Sequence, residues 1–404
     1  MDAKRERYTP NDVGPSPLEW KAPRLSEVST LITNGFVGTV TPFYTDITGV
    51  PYLYGTNVRA NKLETNEIRY VTREFHTAQS KTALKAGDLL TVQSGHIGET
   101  AVVTDQFHGA NCHALIVTRL KQEKADPHYL CFYVNSEIGR ARMKGLEVGS
   151  TILHINTKDL KKFRVLLPSL PEQKKIAQIL STWDKAISVT EKLLTNSQQQ
   201  KKALMQQLLT GKKRLLDENG VRFIKKWEKT TLGDIAKITT GSSNRQDSSL
   251  DGKYTFFDRS EDIRTSSIYL FDGEAIIVPG EGQRFEPKYF IGKFDLHQRT
   301  YAIMDFASHS GRFLFYMIDY LKVYFLNQAV GSTVKSLRLP MFQKMTFEAP
   351  EIEEQQKIAA VLSAADAEIS TLEKKLACLK GEKKALMQQL LTGKRRVVVD
   401  VDAA

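Results

Sequence analysis

Arg, Lys, Asn, Gln and His carry the donors and acceptors that can meet the edges of stacked bases, and Lys and Arg also neutralise phosphates. In this sequence such residues recur in short polar stretches that interrupt apolar ones. In the first half they are Asn34, Arg59, Lys62, Gln93 and His96. In the second they are the run 242–245, ending in Arg245, and then Arg259, Gln283, Arg284 and Arg299. Each is a candidate contact to a polyanion, with plain solvation as the alternative at any one position. His113 and His297 border predicted strands and read equally well as scaffold. Tyr52, Tyr54, Phe256 and Phe257 read as core rather than as platforms for stacking bases.

Other chemistry is missing from the sequence. It holds no GxxxxGK(S/T) phosphate loop, no (D/N)PP(Y/F) tetrapeptide for gripping a target base, and no glycine-rich strand–turn–helix signature for S-adenosylmethionine. The stretch Val278-Pro-Gly-Glu-Gly282 reads as a loop. The eight histidines make no HExxH spacing, and Cys112, Cys131 and Cys378 make no CxxC pair. No carboxylate arrangement of the PD…(D/E)xK kind is recognisable. No catalytic residue and no metal ligand is assigned. The net charge of +11 favours polyanionic partners, nucleic acid first. No apolar run approaches the roughly 18 residues of a membrane span, and the first residues lack the apolar stretch of a secretion signal. A reduced, cytoplasmic protein without a membrane partner is expected.

The elements that must position these residues come in two copies. KKALMQQLLTG occupies 201–211 and again 383–393, an offset of 182 positions. At that offset 171–214 and 353–396 share 26 identities in 44 positions, including EQxKIAxxLS at 172–181 and 354–363. VGST at 148–151 returns at 330–333. Upstream the match is looser. Trp20 with 25–28 resembles Trp227 with 232–235, and 87–92 resembles 273–278. The chain therefore reads as a duplicated unit, a divergent domain followed by a near-identical helix.

Apolar residues at Ile176, Leu180, Trp183, Ile187, Leu194, Leu204 and Leu208 follow alternating steps of four and three, and the second copy fills the same seam more completely. Ser169 and Glu172 suggest a capping box, and Gly211 and Gly393 suggest C-terminal caps. A helix over 170–210 spans about 60 Å and needs a partner for its stripe. The two copies pairing antiparallel supply it, with packing on its own domain as the alternative. The preceding segments read as mixed α/β. The expected fold class is α/β (α+β): two pseudo-symmetric mixed α/β domains joined by two long antiparallel coiled-coil helices. The segments are 1–168, the helix 169–214, 215–350, the helix 351–396 and a tail at 397–404.

On these residues the chain resembles the specificity subunits of type I restriction-modification systems. Pro51-Tyr-Leu-Tyr-Gly-Thr-Asn-Val58, the stretch 87–98 and VGST look like scaffold motifs of that family's target recognition domains, while Leu170-Pro-Glu-Gln173 and the LLTGKKR and LLTGKRR ends look like its spacer helices. The resemblance implies that each domain reads one half of a bipartite double-stranded DNA site and that the helices dock two methyltransferase subunits. It implies that restriction/motor subunits join them, and that S-adenosylmethionine, ATP and Mg belong to those partners, with no cofactor in this chain. Val278-Pro-Gly-Glu-Gly282 departs from the first domain's Val92-Gln-Ser-Gly95, so the two domains should read different bases. Gln206-Gln207 and Gln388-Gln389, beside Met205 and Met387, are the expected docking residues, a reading that rests on their duplication. Packing in the seam is the alternative for the methionines. The rival functions are a stand-alone DNA-modifying or cutting enzyme and a coiled-coil scaffold without sequence-specific DNA binding.

Overall fold

The computed structural model describes residues 8–9, 13–14, 16–148 and 153–399. Residues 149–151 of the first VGST therefore lie outside the described residues. The chain packs as two compact units, 1–189 with 376–404, and 190–375. Each unit combines one α/β domain with the first half of one long helix and the second half of the other.

In the first unit the strands are β1 (Ser29–Asn34), β2 (Tyr44–Thr45), β3 (Val50–Leu53), β4 (Arg69–Val71), β5 (Leu89–Val92), β6 (Thr100–Val102), β7 (Asn111–Cys112) and β8 (Leu115–Leu120). They form two four-stranded sheets, ordered β6-β5-β8-β1 and β7-β3-β4-β2. β5 and β8 are almost wholly apolar and sit centrally, as strands covered on both faces must. Helices α1 (Pro127–Asn135) and α2 (Glu137–Lys144) follow, capped by Asp126 and Ser136 side chains that accept from the Tyr129 and Gly139 amides. The long helix α3 (Leu170–Leu208) begins in this unit.

The second unit contains β9 (Lys237–Thr240), β10 (Tyr254–Phe257), β11 (Arg264–Ser266), β12 (Phe271–Pro279), β13 (Lys288–Leu296) and β14 (Thr300–Met304), then α4 (Gly311–Tyr320) and the start of α5 (Ile352–Leu390). These six strands make one sheet, ordered β9-β14-β12-β13-β10-β11. This is the first unit's order with two differences, one being that β2 has no counterpart strand beyond β11. The nine-residue β13 does alone what β6 and β7 share in the first unit, where a turn at Asp105–Phe107 breaks the strand. The buried Val103, Phe107 and Ala110 of that break fill the space between the two shorter sheets.

Both long helices run 39 residues and end at Leu208 and Leu390. The next glycines adopt φ +66° at Gly211 and +71° at Gly393. In both, the amide two residues further on reaches back into the helix, Lys213 to Gln207 and Arg395 to Gln389 at 3.0 and 3.1 Å. Besides the left-handed φ, a Cβ at Gly393 would clash with Pro17, and both glycines lie in contact range of an indole, Gly211 of Trp227 and Gly393 of Trp20.

The pairing of the helices is antiparallel within each unit. In the first, Glu172 meets Arg396 and Asp184 meets Lys383. In the second, Glu354 meets Arg214 and Asp366 meets Lys201. These are the same pairs at the 182-residue offset. The domain cores are continuous with the helix seam. Ile176, Leu180, Leu390 and Leu391 are buried with the first domain, and Ile358, Leu362, Leu208 and Leu209 with the second. Each such leucine contributes on the order of 2 kcal/mol by leaving water. The seam and the domain thus share these residues, so both packing arrangements considered from the sequence are realised at once.

The repeated Glu-Gln pair explains its own recurrence. Gln173 donates to the carbonyls of Pro168 and Lys124 and accepts from the Asp126 amide, the cap residue of α1. Gln355 donates to the Pro350 carbonyl and accepts from the Ser310 amide, the cap residue of α4. Glu172, expected to close a capping box, instead spends both carboxylate oxygens on Arg396.

Candidate nucleic-acid interface

In the first domain the sheet brings Asn34 and Gln93 together. β1 and β5 both flank β8, so the residue ending one and the residue following the other share an edge. Gln93 Nε2 donates to Asn34 Oδ1 at 2.7 Å. His96 is exposed in the loop that follows, whose turn uses Gly95 and Gly98 at φ +82° and +77°. Arg59 and Lys62 lie apart from this edge, on a two-residue hairpin against β6. Arg59 Nη1 donates to the Val58 carbonyl at 2.9 Å and Lys62 pairs with Glu64 at 2.9 Å, so both cations already have local partners.

In the second domain four of the five expected residues line one cleft of about 490 Å³ or its rim. Arg259 and Arg299 both pair with Glu281, Gln283 is exposed beside them, and Arg284 lies 3.7 Å from Glu261. Arg245 sits next to this group, its Nε 3.7 Å from Asp258. Burial would raise the Glu281 carboxyl, but hydrogen bonds and charge from Arg299 and Arg259 outweigh it and hold it below the usual carboxylate range. Asp258 is likewise held low, burial being outweighed by hydrogen bonds from Ser260 and by the charges of Arg245 and Arg264. His297 sits behind the cluster with its pKa lowered, by burial first and then by Arg259, so it stays neutral there. At the corresponding place in the first domain His113 is also lowered by burial.

Sequence reading missed Arg69, Arg264 and the residues that hold them. Arg69 Nη1 donates to the Tyr44 hydroxyl at 2.8 Å, and its guanidinium lies 5.1 Å from the Tyr44 ring centroid and 5.4 Å from that of Tyr54. The Tyr44 hydroxyl also bonds the Tyr54 hydroxyl, and the Tyr54 ring lies 5.0 Å from that of His113. Tyr54 is half-buried; the sequence placed it in the core, whereas its ring borders an exposed arginine. Tyr52, Phe256 and Phe257 are core, as expected. Arg264 Nη1 donates to Ser248 at 3.4 Å, and its Nε lies 3.7 Å from Asp258.

The expected docking residues separate on inspection. Met205 is buried in the second domain's core, whereas Met387 is half-buried against the first and lines a cavity there. Gln206, Gln207, Gln388 and Gln389 are exposed. The two ends are not equivalent. Glu137 of α2 accepts from Gln388 and pairs with Lys384 at 2.7 Å. Counting from the helix caps Asp126 and Ser310, the second unit has Leu321 where the first has Glu137. Gln206 and Lys202 therefore lack that anchor.

Among the described residues no group of three or more His, Cys, Asp or Glu is placed to hold a metal ion, and no helix is long and apolar enough to cross a membrane. The geometry defines a class: two α/β domains on one framework, with unlike polar edges, each docked on the paired ends of long helices. The chain belongs to the type I restriction-modification DNA specificity domain family, whose sequence model matches residues 17–196 and 224–380. It is 25% identical to the putative type I restriction enzyme MjaX specificity subunit of Methanocaldococcus jannaschii, over 98% of each chain. It is 27% identical to the type I restriction enzyme EcoDI specificity subunit of Escherichia coli, over 41% of this chain and 37% of that one. The fold is shared with the type I restriction-modification S subunit of M. genitalium, at TM-score 0.65 and 14% identity over 92% of this chain and 96% of that one. It is also shared with a chain from a study of complex assembly and conformational transition in the type I R-M system, at TM-score 0.53 and 17% identity over 94% and 99%.

Proposed function

We propose that the two domains each read one half of a bipartite double-stranded DNA site, and that the paired helices dock two methyltransferase subunits at a fixed separation. The chain carries no catalysis itself. It directs adenine methylation by those subunits, or cleavage once restriction/motor subunits join, with S-adenosylmethionine, ATP and Mg bound by the partners in the cytoplasm. The recognition segments are 1–168 and 215–350, and 169–214 and 351–396 are the spacers.

The observation that carries this reading is the pairing of like frameworks with unlike edges. The strand order is largely common to both domains, while the first offers Asn34, Gln93 and Arg69 and the second offers arginines held by Glu281 and Asp258. A framework kept constant under changing polar groups suits two different half-sites. For docking, the support is the exposed glutamines repeated at both helix ends.

The test is selection from a randomised duplex library by the chain assembled with a type I methyltransferase subunit, at salt high enough to suppress binding by charge alone. Two enriched blocks separated by an unread gap of constant length are expected. Salt-sensitive binding with no enriched sequence would favour the scaffold reading. Methylation or cutting by the purified chain alone would favour the enzyme.

A further inference from the structure

The strand registers align the two domains residue by residue where side-chain similarity does not. In the first, β3 pairs antiparallel with β4 so that Tyr52 faces Arg69, and parallel with β7 so that Tyr52 faces Asn111. In the second, β10 pairs antiparallel with β11 so that Phe256 faces Arg264, and parallel with β13 so that Phe256 faces Asp295. The next steps agree. The His113 amide donates to Leu53 and the His297 amide to Phe257, at 2.8 and 2.9 Å. Phe36 bridges His113 as Ser243 bridges His297. Arg69 and Arg264 therefore occupy one framework position, and Tyr54 and Asp258, two residues past the facing Tyr52 and Phe256, occupy another on the same strand face.

We propose, resting on the reading above, that Arg69 and Arg264 are the matched base-reading residues of the two domains. Each presents its guanidinium to the O6 and N7 of a guanine, and Tyr54 and Asp258 are the positioning residues that make the two read differently. The argument for a base rather than a phosphate is the way the arginines are held. Arg69 is exposed and makes no ion pair among the described residues. Its orientation comes from the Tyr44 and Tyr54 rings beneath the guanidinium and from the bond that Nη1 gives the Tyr44 hydroxyl. The exposed guanidinium is thereby held as a planar fork in a preset orientation, the geometry a guanine edge needs. A phosphate contact needs charge but not that preset orientation. In the second domain the equivalent guanidinium is set by Asp258 and Ser248 instead, and Arg245 shares the same carboxylate. A different tether aims the same group along a different line, so the guanine it reads falls at a different place in each half-site.

The test repeats the library selection with Arg69→Ala, Arg69→Lys and Arg264→Ala chains assembled with the methyltransferase subunit. Arg69→Ala is expected to lose roughly ten- to hundredfold of discrimination at one G·C pair of one half-site, leaving the other half and the gap unchanged. Arg264→Ala should do the same in the opposite half. Arg69→Lys keeps the charge and can still donate to O6 and N7 but loses the planar fork, so it should retain only part of the discrimination. Uniformly weaker binding of Arg69→Ala with the motif intact would identify a phosphate contact and overturn the proposal. If the unsubstituted chain selects a split motif and all three variants select the same one, this inference fails while the reading beneath it stands. If the unsubstituted chain selects none, that reading fails first.

Discussion

The Arg396 guanidinium closes on the Glu172 carboxylate through two hydrogen bonds of 2.7 and 2.9 Å, across 224 positions of sequence. Arg214 closes on Glu354 in the same way, at 2.7 and 2.5 Å. Each arginine also lies 5.9 Å from an indole centroid, Trp20 and Trp227 respectively. The pair locks the end of one helix to the start of the other at the foot of each domain.

The two locks should not be equally strong. The Arg214 side chain is 18% exposed and that of Arg396 is 45% exposed, while the glutamates they hold are buried. Removing either arginine leaves a buried carboxylate unpaired. Arg214→Ala should cost about 3 kcal/mol, and Arg396→Ala about half as much, because water reaches that site more easily. Melting of the two variants by calorimetry checks the order. Equal losses would show that burial of the arginine does not set the strength.

Gln173 and Gln355 should act as tethers between a spacer helix and a domain helix. Gln173→Ala leaves the Pro168 and Lys124 carbonyls and the Asp126 amide without this partner, a loss of about 2–3 kcal/mol. Hydrogen exchange should show the loss of protection first at the Asp126 amide and the first turn of α1. Protection unchanged there would mean the cap is held without the tether.

The Glu281 cluster predicts a pH dependence. Its carboxyl is held below the ordinary value by Arg299 and Arg259 after burial has pushed the other way. A lowered folded-state value means the cluster contributes stability above the ordinary carboxylate range, and loses it as pH falls through the lowered value. The arginines are 46% and 61% exposed, so the contribution is under about 1 kcal/mol. The melting difference between the unsubstituted chain and Glu281→Gln should be constant above about pH 5 and shrink toward pH 3. A difference that grows on acidification would reverse the assigned sign.

If the helices set the unread gap, adding seven residues to both should lengthen it without breaking the seam. One heptad is about 10 Å of helix, or about three base pairs at 3.4 Å each. The selected gap should lengthen by that amount with both half-sites unchanged. An unchanged gap would remove the spacer role.

How much of this was legible in the sequence follows from what each part repeats. The helices were legible because identical residues meet identical partners. Glu172 with Arg396 and Glu354 with Arg214 recur at one offset, as do Asp184 with Lys383 and Asp366 with Lys201. The α/β class was legible from strand-length apolar runs. The polar edges were only partly so. Exposed cations are recognisable by type, but a sequence does not show that Arg59 is spent on the Val58 carbonyl or Lys62 on Glu64. Arg69 and Arg264 were missed for a related reason. Their equivalence lies in strand register with Tyr52 and Phe256, and Tyr54 and Asp258 share no chemistry that would signal a common place. Glu137 breaks the symmetry of the helix ends from outside the repeat, so counting repeated residues predicted two equal surfaces where the structure has unequal ones.

The central claim is that this chain alone decides which DNA sequence is modified. The most direct measurement is a genome-wide map of adenine methylation in cells carrying a matching methyltransferase subunit, with and without this chain. A split motif, methylated only when the chain is present, is the predicted result, and it would reveal both half-sites and the gap together. An unchanged methylation map, in cells where the complex is confirmed to assemble, would contradict the account.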